Sequence, residues 1–175
     1  MQPFVQHRYS TYSESHSLTK AAEHLATKML NDQSCQLNEK SINLFEQYRK
    51  MAVGKTAPNI VFENIEQRTK SKDLKSLPNK YKLVVFGASW CPNCQTDLPK
   101  LKEKYEALKK DYDVEVVYIS IDTDKTAFES KYKEAPFITY CDAKGWETQA
   151  AKDYYIFATP TLHIVTGKQI GRAHV

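Results

Sequence analysis

The hydrophobic pattern is sharpest at Leu83-Val84-Val85-Phe86, a run with no polar position that predicts a strand covered on both faces. Further strands are expected from Val114 to Ile121, where Val116, Val117, Ile119 and Ile121 are apolar, and over Thr161-Leu162-His163-Ile164-Val165, before a turn at Gly167. A short strand is expected from Pro136 to Tyr140. Between them the period changes. Leu98, Leu101, Tyr105 and Leu108 share one face of a helix expected from about Cys91 to Lys110, which Pro99 should kink. A polar helix is expected from Asp122 to about Lys133, and another from Trp146 to Tyr155. Strands alternating with helices imply an α/β sandwich whose sheet is at least partly parallel.

The first half-dozen residues carry no clear pattern. From Ser17 to about Leu30, Leu18, Ala21, Ala22, Leu25, Ala26, Met29 and Leu30 fall at helical spacing. A second helix is expected from Asn38, a suitable N-cap, to Val53, with Ile42, Leu44, Phe45, Tyr48 and Met51 apolar and Gly54 ending it. These two helices should pack on each other or on the segment that follows. Ala57 to Phe62 suggests a short strand, and Leu74 to Lys80, with Pro78 and Asn79, reads as turns.

Composition adds mainly exclusions. The 175 residues are 41% hydrophobic and 26% charged, enough apolar material for one core. The longest apolar run is far short of a bilayer crossing. Net charge is +4 with both signs interspersed, so no nucleic-acid partner is expected. No basic start or apolar stretch of a signal peptide follows Met1.

The four cysteines, Cys35, Cys91, Cys94 and Cys141, contain one close pair, and His7, His16, His24, His163 and His174 form no cluster by spacing. A structural zinc site usually needs a second pair or spaced histidines, so no metal is expected. Cys35 and Cys141 read as unpaired thiols.

The pair itself points to redox chemistry. Cys91 would stand where a buried strand turns into a helix, at an N-terminus whose free N–H groups and dipole favour an anion. That lowers a thiol's pKa. Two intervening residues let Cys94 reach Cys91 within one turn. Cys91 is thus the expected nucleophile, and Cys94 the thiol that resolves the mixed disulfide. Pro92 suits the first helical turn. Downstream, Ala158-Thr159-Pro160-Thr161 marks a constrained turn before a strand; spacing alone leaves the Thr159–Pro160 isomer open.

Trp90-Cys91-Pro92-Asn93-Cys94, then Asp97-Leu98-Pro99 and Thr159-Pro160-Thr161, resembles the thioredoxin superfamily, and within it the TlpA/ResA-like (AhpC/TSA-type) branch. The helical N-terminal segment resembles extensions of Bacteroidetes-type envelope members. The resemblance covers about 54–168. It implies a thioredoxin-like three-layer α/β/α sandwich at 54–169 behind a helical N-terminal extension at 1–53, with a cis Pro160 beside the cysteine pair. Trp90, Pro92, Asn93, Thr159 and Pro160 would then form the substrate groove. The branch often carries an acid three residues after its second cysteine; here that is Asp97, one methylene shorter than the usual Glu and equally readable as a solvated helix acid. Cytoplasmic thioredoxins have a buried Asp where this chain has Val85.

The implied function is thiol–disulfide oxidoreductase, with reductase the expected direction. It would need no cofactor, and would act on protein disulfide or dithiol substrates with an upstream thiol electron donor in the periplasm or cell envelope. Two alternatives stand beside it: a partner-binding module on the same scaffold, and a thiol peroxidase, for which Ala88 and Val84 replace the residues that would orient peroxide. The last six residues, Ile170 to Val175, break the strand-and-turn pattern and match the translation of a common sequencing adapter. A non-native tail at 170–175 is therefore expected, with the family's final strand and helix missing and apolar surface exposed.

Overall fold

In the computed structural model, which describes residues 19–34, 36–62 and 69–171, the apolar run at 83–86 lies inside β1 (Tyr81–Gly87), the middle strand of a five-stranded sheet. The other strands are β2 (Val114–Ser120), β3 (Ile138–Tyr140), β4 (Thr161–Thr166) and β5 (Gln169–Ile170), in spatial order β3-β2-β1-β4-β5. β1, β2 and β3 run parallel, whereas β4 is antiparallel to β1 and β5 to β4. Parallel neighbours need crossovers. The helix α3 (Pro92–Tyr112) connects β1 to β2, and α4 (Lys125–Tyr132) connects β2 to β3.

Alternation of side chains splits the core into two layers. On one face Val85, Val116 and Tyr118 pack under Leu98 and Tyr105 of α3 and Phe128 and Tyr132 of α4. On the other, Val84, Phe86, Val117, Ile119 and Val165 pack against Ile60, Leu74, Leu77 and Tyr154, and against Ala150 and Ala151 of the short helix α5 (Gln149–Asp153). Helices and connecting segments on both faces give the expected α/β sandwich.

Several boundaries move for local reasons. The helix expected from Asp122 starts only at Lys125, because Asp124 caps it and Asp122 is buried in the sheet edge. The stretch expected as a helix from Trp146 divides into a 3-10 turn at Gly145–Glu147 and α5, with Gly145 at φ 61. Residues 57–62 form no strand; isolated bridges Thr56↔Gln169 and Val61↔Asp73 hold them while Ala57, Ile60 and Phe62 are buried. α3 continues through Pro99 in one helix.

The helices α1 (Thr19–Asn31) and α2 (Glu39–Lys50) pack on each other through Ala26 and Phe45, with Leu25, Met29, Leu30 and Leu37 around them. Asn38 caps α2 by accepting from the Ser41 N–H. Lys55 pairs with Glu23 at 2.6 Å, and Met51 joins the main core. A cleft of about 730 Å³ between these helices and α5 is lined by Glu23, Lys50, Lys55 and Tyr155 and does not reach the cysteine pair.

The final strand, expected to be missing, is present as the two residues of β5. Its edge is not open: the Gly54 N–H donates to Ile170 O at 2.8 Å, and the Ile170 N–H to Lys55 O at 2.8 Å. Ile170 is buried. On the face that carries α3, Leu162 stands opposite Val85 and is 52% exposed. Residues 172–175 and Cys35 lie outside the described residues.

Candidate active site

Parallel strands bring their C-terminal ends to one edge, and the cysteine turn leaves β1 there. The register sets Gly87 opposite Ser120, so Ser89 meets Asp122 two residues further along. The buried Asp122 carboxylate accepts from the Ser89 N–H at 3.0 Å and from the hydroxyls of Ser89 (2.7 Å) and Ser120 (2.5 Å). Gln95, one residue after the pair, donates through its side-chain amide to Ser89 O at 2.6 Å. Ser89 is thereby held from both sides, which fixes the path into Trp90 and Cys91.

Cys91 is the N-cap of α3, with Pro92 in the first helical turn. Its sulfur accepts from the Cys94 N–H at 3.3 Å, and its thiol lies 3.4 Å from the carbonyl oxygen of Thr159. The Thr159–Pro160 peptide is cis, in agreement with the resemblance. Both cysteines are free and buried. They differ in ionisation. Burial of Cys91 opposes its thiolate, but hydrogen bonds from Cys94, from Thr159 and from the backbone N–H groups of Cys94 and Asn93 outweigh it, so its pKa is lowered. Burial, then the interaction with Cys91, pushes the Cys94 pKa up to about 11.

The structure thus brings Cys91, Cys94 and Thr159 together. Trp90 stands beside them 55% exposed, Pro92 and Asn93 are exposed, and Pro160 is half-buried. Asp97 lies outside the cluster: its exposed carboxylate pairs with Lys100 at 3.1 Å. Cys141 is half-buried, with its thiol 3.7 Å from Asp122 O.

Residues that the sequence pattern did not single out form the floor. Ser89 and Asp122 are two. Tyr118 and Tyr132 are two more, with hydroxyls 2.9 Å apart. The available signal was a charged residue, Asp122, closing an apolar strand at the C-terminal edge of a parallel sheet. Gly87 matters by close approach. A Cβ there would sit 2.0 Å from the Tyr118 hydroxyl oxygen and 3.2 Å from the Cys94 sulfur. Gly87→Ala should therefore cost about 1–3 kcal/mol through overpacking. A lower thermal midpoint checks this; an unchanged one would mean that Tyr118 yields freely.

A thioredoxin-like family model matches residues 79–170. Among individual relatives, tryparedoxin of Trypanosoma brucei brucei is 31% identical over 112 residues, covering 62% of this chain and 78% of that protein. Thiol-disulfide oxidoreductase ResA of Bacillus cereus is 28% identical, covering 69% of this chain and 68% of that protein. Probable nucleoredoxin 1 of Arabidopsis thaliana is 30% identical over 90 residues, and there the chain spans 16% of the relative's length. Among solved structures, a thiol-disulfide oxidoreductase from Bacteroides fragilis superposes with TM-score 0.55 at 28% identity, covering 66% of this chain and 87% of that one.

Proposed function

Because the chain belongs to the thioredoxin-like family, we propose that Cys91 and Cys94 are the redox pair of a thiol–disulfide oxidoreductase that exchanges with protein disulfides. The observation that carries this reading is the placement of the Cys91 sulfur. It caps α3 and accepts the Cys94 N–H, which favours the thiolate, and its S–H donates to the Thr159 carbonyl, which sets the attacking sulfur beside the cis-proline turn. Cys91 attacks the substrate disulfide, forming a mixed disulfide and releasing one substrate thiolate. Cys94 then attacks the Cys91 sulfur, forming Cys91–Cys94 and releasing the second thiolate, which takes up the proton lost by Cys94. Substrate is reduced and the enzyme oxidised; an upstream thiol donor restores the dithiol.

Trp90, Pro92 and Asn93 neighbour Cys91 in sequence, the Thr159 carbonyl meets its sulfur across the fold and Pro160 follows Thr159 in cis, and these five form the groove in this reading. Asp97, turned to Lys100, has no part in it. Reductase is the proposed direction and the periplasm or cell envelope the proposed place, both from the likeness to TlpA/ResA-type proteins. No helix among the described residues is long and apolar enough to cross a membrane.

Titration against glutathione redox buffers tests the pair. The expected result is a reversible two-electron transition of Cys91–Cys94 that is lost in Cys91→Ser, with a midpoint on the reducing side of the glutathione couple. A pair that never titrates, or stays oxidised in strong reductant, would overturn the reading.

A further inference from the structure

The floor beneath Cys94 holds two phenols that the exchange above does not use. Tyr118 reaches from β2 into the space left by the missing side chain of Gly87, where the position of the absent Cβ lies 2.0 Å from its hydroxyl oxygen and 3.2 Å from the Cys94 sulfur, so the hydroxyl stands beside that sulfur. Behind it, Tyr132 of α4 places its own hydroxyl 2.9 Å from that of Tyr118, with the two ring centroids 4.7 Å apart. Both residues are at most 2% exposed, so water does not compete for these groups.

Each phenol carries one proton. With the Tyr132 O–H donated to the Tyr118 oxygen, the Tyr118 O–H is free to point at sulfur. Two donors in series then face the atom that must become an anion. Hydrogen bonds chained in this way strengthen one another in a dry site. The phenols act as donors, not bases. Burial raises the pKa of both, and the Asp122 carboxylate adds to the rise at Tyr132, so both stay protonated at neutral pH.

We propose that Tyr118 is a catalytic residue of the resolving step, donating a hydrogen bond to the Cys94 sulfur as it loses its proton, and that Tyr132 is the positioning residue that aims and polarises it. The assignment rests on the reading of Cys94 as the resolving thiol. In that step the Cys94 S–H bond breaks, its sulfur bonds to the Cys91 sulfur, the bond between Cys91 and substrate breaks, and the proton ends on the departing thiolate. Tyr118 keeps its own proton throughout. Its contribution falls on the second exchange, because Cys91 has its own donors in the α3 N-terminus.

The test separates the two exchanges. Reduced protein, in a Cys35→Ser/Cys141→Ser background, is mixed with dithiobis(nitrobenzoate), and release of the coloured thiolate is followed through time and pH. The first equivalent reports attack by Cys91. The second reports resolution by Cys94, and Cys94→Ser should remove it. Tyr118→Phe, which deletes only the hydroxyl, should leave the first phase unchanged. It should slow the second roughly tenfold at neutral pH, a hydrogen bond to a charged group being worth about that much. The pH at which the second phase reaches half its maximum should rise by roughly one. Tyr132→Phe should give a smaller slowing of the same phase, and it decides the matter if a thermal melt shows Tyr118→Phe unfolded.

A second phase unchanged at every pH would overturn the proposal. So would equal slowing of both phases, which would make Tyr118 a structural support of the cysteine turn. A parent protein with no second phase would instead overturn the exchange reading itself, and this proposal with it.

Discussion

Cys94→Ala is expected to turn a catalyst into a trap. The first exchange should proceed at Cys91, after which the resolving thiol is missing, and the covalent mixed disulfide should accumulate. Catalytic turnover should fall by at least about a thousandfold, as it does when one member of a unit that works in sequence is removed. Intact-mass spectrometry of the protein after incubation with a disulfide substrate reads the adduct directly. The asymmetry follows from the ionisation of the two sulfurs. With its pKa at about 11, Cys94 carries a thiolate fraction of about one part in ten thousand at pH 7. Cys91 is lowered by the donors at the start of α3, so it reacts first. Alkylation by iodoacetamide should show the same order, with Cys91 labelled at a pH below that of an ordinary thiol. In Cys91→Ser the remaining Cys94 should stay slow, because burial is the larger cause of its raised pKa. An adduct forming on Cys94 in that variant as fast as on Cys91 in the parent would reverse the assigned roles.

What the sequence made legible follows from how local each feature is. The cysteine turn was readable because its parts are neighbours in the chain: an apolar run, a Cys-x-x-Cys pair, then helical spacing. β1, β2 and β4 were readable for the same reason. The floor of the site was not. Tyr118 sits in a strand buried on both faces, where period-two alternation disappears, so nothing marks which face it joins or that its hydroxyl ends beside a sulfur. Only the register of β2 on β1 sets its ring beneath Gly87, and register is a property of two strands. Asp122 was misread as the start of a polar helix, because its three donors come from Ser89 and Ser120 and sequence spacing does not pair Asp122 with Ser89, 33 residues earlier. The pairing of residues 54–57 with β5 was hidden similarly, being a contact between the two ends of the domain.

Stability should fall in mild acid through the imidazole of His163 on β4. The ring stands among Phe86 and Tyr154, with centroids at 6.4 and 5.3 Å, and its Nε2 is buried without a partner although the residue keeps some exposure. Burial lowers its pKa from 6.5 to about 4 in the folded chain. Between those values the unfolded chain binds a proton that the folded chain refuses. Stability therefore rises with pH across this window. The full contribution, on the order of 3 kcal/mol, is present above pH 6.5 and is lost progressively as pH falls toward 4. From pH 7 to pH 5 the loss attributable to this group is about 2 kcal/mol. Urea unfolding at the two pH values should show the drop in the parent chain, and His163→Leu should flatten it, since leucine fills the site without a proton to gain. An equally steep drop in the leucine variant would place the acid sensitivity elsewhere and would mean that the His163 ring is protonated in the fold. The same variant should keep its Cys91 alkylation profile, because His163 lies on the sheet face opposite α3 and makes its ring contacts with Phe86 and Tyr154, not with the cysteine turn.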